Sequence, residues 1–262
     1  MSELAGEANL VEIFSSVQGE GPHLGETTLF VRFGACDLRC AWCDSPHTWR
    51  PALACRVEAT RGSGQRETLP NPVPLARALA ACEALELARH RFASLTGGEP
   101  LLQPEAVRAL GRALRARGPR VLLETHGLHA DALASVLEAV DVVSMDWKLA
   151  SDVRREGEAR REAGAEFHAD HERFLRVALR APEVVVKVVV TCASRDAELD
   201  EVARRIAAVD PSVPLVLQPV TPAGSVAETP SAERLLALVA RLSRTLERVR
   251  LIPQTHKLLG AP

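Results

Sequence analysis

A chain of 262 residues, 47% hydrophobic and 25% charged, has ordinary globular composition, which excludes wholesale disorder and suits one α/β domain of barrel size. Its formal net charge of −2 excludes the basic field that grips a nucleic-acid backbone. The longest apolar run, Val184 to Val190, is short and broken by Lys187, and the acidic start MSELAGEANLVE has neither the basic nor the apolar part of a signal peptide. A soluble, cytoplasmic chain with no membrane or nucleic-acid partner is expected.

Extended and helical patterns then alternate. Leu29–Phe33 reads as a strand leading into a cysteine-rich loop. Residues 73–90 have helical apolar spacing, with Asn71 and nearby prolines as start signals. A strand follows at Arg91–Leu95, and then a helix over 103–117 closed by Gly118-Pro119. Strand Val121–Glu124, helix 130–139, strand Asp141–Met145 and helix 168–180 continue the alternation. Glu183–Thr191 is a β-branched run without alternation, the pattern of a parallel strand buried on both faces. Helix 196–208, strand Pro214–Gln218, helix 231–245 and strand Arg248–Ile252 complete the series.

Six or seven such units argue for a parallel sheet with right-handed crossovers. They fall short of a closed eightfold barrel. An open, partial βα barrel of about six parallel strands is therefore expected, with a doubly wound sheet as the alternative, in a single domain over 1–262. Residues 50–72, polar and rich in Gly, Pro and Arg, are expected as a loop or insertion. Residues 150–167 carry mixed charge and suit either a solvated helix or loop, or a lid over the barrel mouth.

Three of six cysteines, Cys36, Cys40 and Cys43, fall within eight residues; Cys55, Cys82 and Cys192 are scattered and read as small core residues. Clustered thiolates in a reducing compartment suit a metal. Spacings of three and two can wrap a four-iron cluster from a single loop, leaving one iron open to a small ligand. Zinc is the rival, with His47 completing a closed Cys₃His set. One unit downstream, Thr96-Gly97-Gly98-Glu99-Pro100 ends a strand: its glycines permit close backbone approach, and its glutamate can accept from an ammonium group. Glu124-Thr125-His126-Gly127, Ser144-Met145-Asp146-Trp147-Lys148 and Gln218-Pro219-Val220-Thr221 end later strands, which this architecture gathers at one face. Singly, each is equally a cap or a turn. Lys187, alone among valines, must pair, snorkel or point into the lumen, and a structural ion pair is the more ordinary outcome.

The C-x₃-C-x₂-C loop after the first strand, followed by GGEP, resembles the radical S-adenosylmethionine (SAM) superfamily. Within it, Glu12–Gly21, Phe30–Cys36, Trp42–Ser45, TGGEPLLQ, ETHG, SMDWKL, VVVKVVVT and IPQTHKLLG together resemble the 7-carboxy-7-deazaguanine synthase family of 7-deazapurine (queuosine) biosynthesis. That likeness covers most of the chain and is weakest over 50–72. It implies a 4Fe–4S cluster on Cys36, Cys40 and Cys43, SAM on the open iron, and Mg²⁺ near Ser45, where the family usually has threonine. Gly97, Gly98 and Glu99 would meet the SAM amino group, with Trp42, Asp44, Ser144, Met145, Asp146, Lys148 and Gln218 around the rest. The substrate, 6-carboxy-5,6,7,8-tetrahydropterin, would meet Val17, Gln18, Gly19, Glu20, Arg32, Thr96 and the terminal carboxylate of Pro262 on a tail folded over the mouth. Glu20 and Arg32 would carry catalytic roles, Arg32 by pairing with the substrate carboxylate.

The implied reaction begins with hydrogen abstraction from C6 by a 5′-deoxyadenosyl radical. Magnesium-assisted ring contraction, return of hydrogen and loss of ammonia follow, and SAM is regenerated. A homodimer and a reductant such as flavodoxin or ferredoxin are implied too. The alternatives are a glycyl-radical-enzyme activating enzyme, which shares the cysteine loop, and a zinc-binding interaction module.

Overall fold

The computed structural model describes residues 4–158 and 166–260. Its main sheet opens with β1 (Leu10–Val17), antiparallel to β2 (Thr27–Phe33). Apolar residues in β1 come in adjacent pairs rather than alternating, so periodicity does not announce it as a strand. A hairpin of β3 (Ala54–Glu58) and β4 (Arg66–Pro70) comes next, and then α1 (Leu75–Ala84). The alternating series follows: β5 (Phe92–Gly97), α2 (Pro104–Arg115), β6 (Arg120–Thr125), α3 (Ala130–Val136), β7 (Val142–Asp146) and α4 (Glu166–Ala178). It ends with β8 (Glu183–Val190), α5 (Asp196–Val209), β9 (Leu215–Pro219), α6 (Ala232–Leu242), β10 (Val249–Leu251) and α7 (Thr255–Leu259).

The strands lie in the order β10-β9-β8-β7-β6-β5-β2-β1-β3-β4, and the seven from β2 to β10 in that run are parallel. Because these seven follow chain order without reversal, every right-handed crossover returns its helix to the same face. A doubly wound sheet would reverse its order partway. The fold is thus the open barrel expected, with a mixed edge added by β1, β3 and β4 and no closure.

Two expectations change. Residues 50–72 are not a loop, because β3 extends the sheet by pairing parallel to β1. Cys55 and Val57 turn into the core while Arg56 is exposed, and β4 is mostly exposed, so the hairpin buries too little apolar surface to be legible as strands. The helix expected over 73–90 is shorter. Val73–Pro74 pair with Glu7–Ala8, and Glu86, at φ +58°, ends the helical path before a 3₁₀ turn at Leu87–Arg89.

Part of the 150–167 segment docks on the cysteine loop. Val153–Arg155 pair antiparallel with Leu38–Cys40, Ala41 N–H donates to Asp152 O at 2.8 Å, and Arg39 pairs with Glu156. Residues 159–165 lie outside the described residues. Among the described residues, no helix is long and apolar enough to cross a membrane.

Candidate active site

The C-terminal ends of the parallel strands open onto one cavity. Cys36, Cys40 and Cys43 are half-buried on its wall as free thiols. The loop that carries them leaves β2 through Ala35, which sits in the left-handed region at φ +74°. Cys36 N–H donates to Trp49 O at 3.3 Å, and Arg39 lies over the Trp49 ring at 4.8 Å while donating to Cys36 O and Leu38 O. Burial pushes the Cys36 thiol up to about 12 and Cys40 up to about 11, so both stay protonated until a metal displaces the proton.

A closed structural zinc site needs a fourth protein ligand beside three thiolates. His47 is exposed and does not line the cavity. With His47 off the cavity, the three thiols suit a cluster that leaves one position open to a ligand better than a closed Cys₃His ion.

The GGEP turn locks onto this loop. At Gly97, φ is +132°, and a Cβ would stand 2.3 Å from Phe33 O; at Gly98 it would stand 2.1 Å from Ala35 O. Gly98 N–H donates to Phe33 O at 3.0 Å and Glu99 N–H to Ala35 O at 2.8 Å, so the turn is stitched to the residues just before Cys36. Glu99 itself is fully buried and off the cavity wall. Its carboxylate accepts from Leu101 N–H at 2.9 Å, His126 N–H at 2.8 Å and Thr125 Oγ1 at 2.8 Å. The structure thus gives Glu99 protein donors where a SAM ammonium was expected, and makes it the anchor of the Thr125–Gly127 turn.

Beside that anchor, Asp37 is shared between two imidazoles. His126 Nε2 lies 2.8 Å from Oδ1 and His129 Nε2 lies 3.2 Å from Oδ2. Burial works against the Asp37 charge, yet the two imidazoles hold its carboxyl well below the usual carboxylate range. On the far side of the turn, Lys148 N–H donates to His171 Nε2 at 2.9 Å, and His171 Nδ1–H donates to Gly127 O at 2.8 Å, fixing the tautomer of a fully buried ring.

The lumen is charged. Lys187 Nζ pairs with Glu20 and lies 3.2 Å from Asp146 Oδ1; Lys148 Nζ lies 2.8 Å from Asp146 Oδ2 and 4.5 Å from the centre of the Trp42 ring. Glu124 Oε1 accepts from Gln18 Nε2 at 3.0 Å and Ser94 Oγ at 2.7 Å. Arg32 donates from Nε to Glu12 Oε1 at 2.8 Å. Val17, Gln18, Gly19, Glu20, Arg32, Trp42, Asp44, Ser45, Thr96, Gly97, Gly98, Asp146, Lys148 and Gln218 all line the cavity. Three of these carry buried polar atoms with no hydrogen-bond partner among the described residues: Trp42 Nε1, Gln218 Oε1 and Asp146 Oδ1, the last met only by the Lys187 ion pair. Unmatched buried donors and acceptors of this kind fit a polar ligand.

Two expected residues lie elsewhere. Met145 is fully buried in the core under Gly127, and Ser144 lines a smaller void beneath the cavity beside Glu124 and Lys187. Successive side chains of a strand face opposite ways, so Met145 and Asp146 cannot both point into the lumen.

The mouth is crossed by the segment leading into α7. Gln254 Nε2 donates to Glu20 Oε1 at 2.7 Å, Thr255 N–H donates to Gly19 O at 2.9 Å, and Lys257 Nζ lies 2.9 Å from Asp44 Oδ2. Ser45 Oγ donates to the other Asp44 oxygen at 3.0 Å, so two hard oxygen groups meet at the rim. Pro262 falls outside the described residues. Glu124, Lys187, Gln254 and Lys257 join the wall without having been singled out as ligands; a lone lysine within a valine run was the clearest hint.

Comparison with known proteins agrees with this geometry. Residues 30–206 match the model of the radical SAM superfamily. The 7-carboxy-7-deazaguanine synthase of Geobacter sulfurreducens is 38% identical over 258 residues, covering 97% of each chain. That of Methanopyrus kandleri is 35% identical over 96% of this chain and 93% of its own. The crystal structure of QueE from Escherichia coli matches with a TM-score of 0.59 at 19% identity over 94% of this chain and 93% of that one, a likeness of fold. The chain belongs to the radical SAM superfamily and, within it, to the family of the 7-carboxy-7-deazaguanine synthases.

Proposed function

We propose that this cavity converts 6-carboxy-5,6,7,8-tetrahydropterin to 7-carboxy-7-deazaguanine and ammonia. The observation that carries the reading is the convergence on one cavity of three thiols, a glycine turn stitched to their loop, and a charged lumen able to read a small polar molecule. When bound, a 4Fe–4S cluster and SAM would supply the deoxyadenosyl radical that takes hydrogen from the substrate. Cys36, Cys40 and Cys43 would hold the cluster. Trp42 Nε1, Gln218 Oε1 and the backbone at Gly97-Gly98 offer SAM its polar contacts.

Arg32 keeps its Nε on Glu12, which leaves its terminal nitrogens for a substrate carboxylate. Gln18, Glu20, Thr96 and Glu124 supply the donors and acceptors that an amino-pyrimidinone edge requires. Asp44 and Ser45 present oxygens of the kind Mg²⁺ prefers, close to Arg32 on the same wall. The reading includes a one-electron donor of flavodoxin or ferredoxin type, a homodimer and a cytoplasmic location.

The test is anaerobic turnover with reconstituted protein, SAM, dithionite, Mg²⁺ and the pterin, followed by mass spectrometry. The expected result is 7-carboxy-7-deazaguanine without net loss of SAM. Slow cleavage of SAM to deoxyadenosine with no deazaguanine would defeat the substrate assignment and favour an activating enzyme.

A further inference from the structure

Four charges alternate in sign across the lumen, the buried Lys187 and Lys148 between and beside the partly buried Glu20 and Asp146. Glu20 comes from the turn after β1, Lys187 from the middle of β8, and Asp146 from the end of β7, where parallel register sets it directly beside Lys187. Lys187 is 4% exposed, pairs with Glu20 Oε2 and lies 3.2 Å from Asp146 Oδ1. Asp146 has a second cation, Lys148, at 2.8 Å. Among the described residues, Lys187 is the one cation within bridging distance of Glu20, whose other oxygen accepts from the neutral amide of Gln254 at 2.7 Å.

That asymmetry decides what Lys187 does. Remove its ammonium and Asp146 keeps a counter-charge, whereas Glu20 is left largely screened from solvent, facing Asp146, with the Gln254 amide on its other oxygen. A buried carboxylate beside a like charge takes up a proton readily. We propose that Lys187 is a positioning residue for the substrate wall: it keeps Glu20 ionised and aimed at the pterin, while Lys148 independently holds Asp146 on the SAM wall. The assignment rests on Glu20 meeting the substrate, as read above. The groups facing Lys187 are Glu20, Asp146 and Glu124, with Lys148 beyond Asp146; those facing Glu20 are Lys187, Asp146 and Gln254. In the intact chain this surrounding keeps Lys187 charged and Glu20 ionised despite burial.

Substituting Lys187→Met separates the two walls. The pterin KM should rise about 10- to 100-fold, the worth of a hydrogen bond to a charged group. SAM affinity by calorimetry should change less than about threefold. The variant's pterin KM should also climb as pH falls from 8 to 6, where wild type shows no such added climb, and Lys187→Arg should remove that climb. A purely structural role would lower Tm without creating a new pH dependence.

If Lys187→Met is too unstable to assay, Glu20→Gln is compared directly with the double variant Glu20→Gln/Lys187→Met, with pterin binding read by calorimetry; where the single variant is stable, it closes the cycle. Neutral glutamine no longer needs the cation, so the second substitution should add little. Additive effects, equal losses for SAM and pterin, or an unchanged pterin pH profile would each overturn the proposal. Wild-type protein that cleaves SAM but makes no deazaguanine would instead overturn the function reading.

Discussion

The wall around the cysteines and the floor around Lys187 are built by opposite means. The wall is a backbone construction: a two-strand ladder at Leu38–Cys40, a glycine turn pressed against Phe33 and Ala35, and main-chain hydrogen bonds between them. The floor consists of two buried lysines and two partly buried carboxylates that neutralise one another across strand ends. One region is therefore intolerant of an added methyl group and the other of a lost charge. Between them sits Glu99, which is both buried charge and backbone anchor.

The largest effect should come from crowding the wall. Gly98→Ala puts a methyl group 2.1 Å from Ala35 O and 2.9 Å from Thr48 O, both backbone atoms that cannot swing aside. It should cost about 3 kcal/mol or more by thermal unfolding, the upper end of the overpacking penalty. It should also lower iron retained after reconstitution, which colour and iron analysis would show. Normal iron content would mean the turn does not brace the cysteine loop.

Removing charge at the anchor comes next. Glu99→Gln keeps size but weakens the bonds from Thr125, His126 and Leu101, so urea unfolding should show a loss of about 1.5–3 kcal/mol. Retained stability together with weakened SAM binding would instead make Glu99 a ligand, as the sequence suggested.

A smaller effect is pH-dependent. Burial keeps His171 neutral, with a proton affinity well below its ordinary value of 6.5. The unfolded chain then binds this proton more readily than the folded one, so its contribution to stability is complete above 6.5 and lost as pH falls below it. The slope cannot exceed about 1.4 kcal/mol per pH unit for one group. Urea midpoints between pH 7 and 5 should fall less steeply in His171→Gln than in wild type; identical slopes would remove His171 from the account.

The smallest stability change should follow Lys257→Gln. Its pair with Asp44 is more than a third exposed on both sides, so solvent screening limits its worth to well under 1 kcal/mol. A shift in Tm of several degrees would show that α7 is held to the mouth by more than rim contacts.

Much of this was legible because its signals are local. The βα alternation, the cysteine spacing and the glycine pair are short-range patterns whose physics plays out within a few residues. Strand β1 and the β3–β4 hairpin escaped because paired apolar residues and an exposed edge carry no clear period. Met145 was placed with Asp146 because a motif names neighbours, whereas a strand sends neighbours to opposite faces; Ser144 shares the Asp146 face but lies one step deeper, at the smaller void.

What the amino-acid sequence determined by itself was the family's chemistry: thiols at spacings of three and two, a GG turn one unit later, and polar residues at strand ends. Only tertiary structure decided which charges meet. Lys187 finds Asp146 through the parallel register of β7 and β8, and finds Glu20, 167 positions away along the chain, because the sheet curls. Gln254 reaches the same carboxylate from 234 positions away. Register and curl belong to the whole sheet, since each is set by packing summed over many strands, and no local run of residues encodes them.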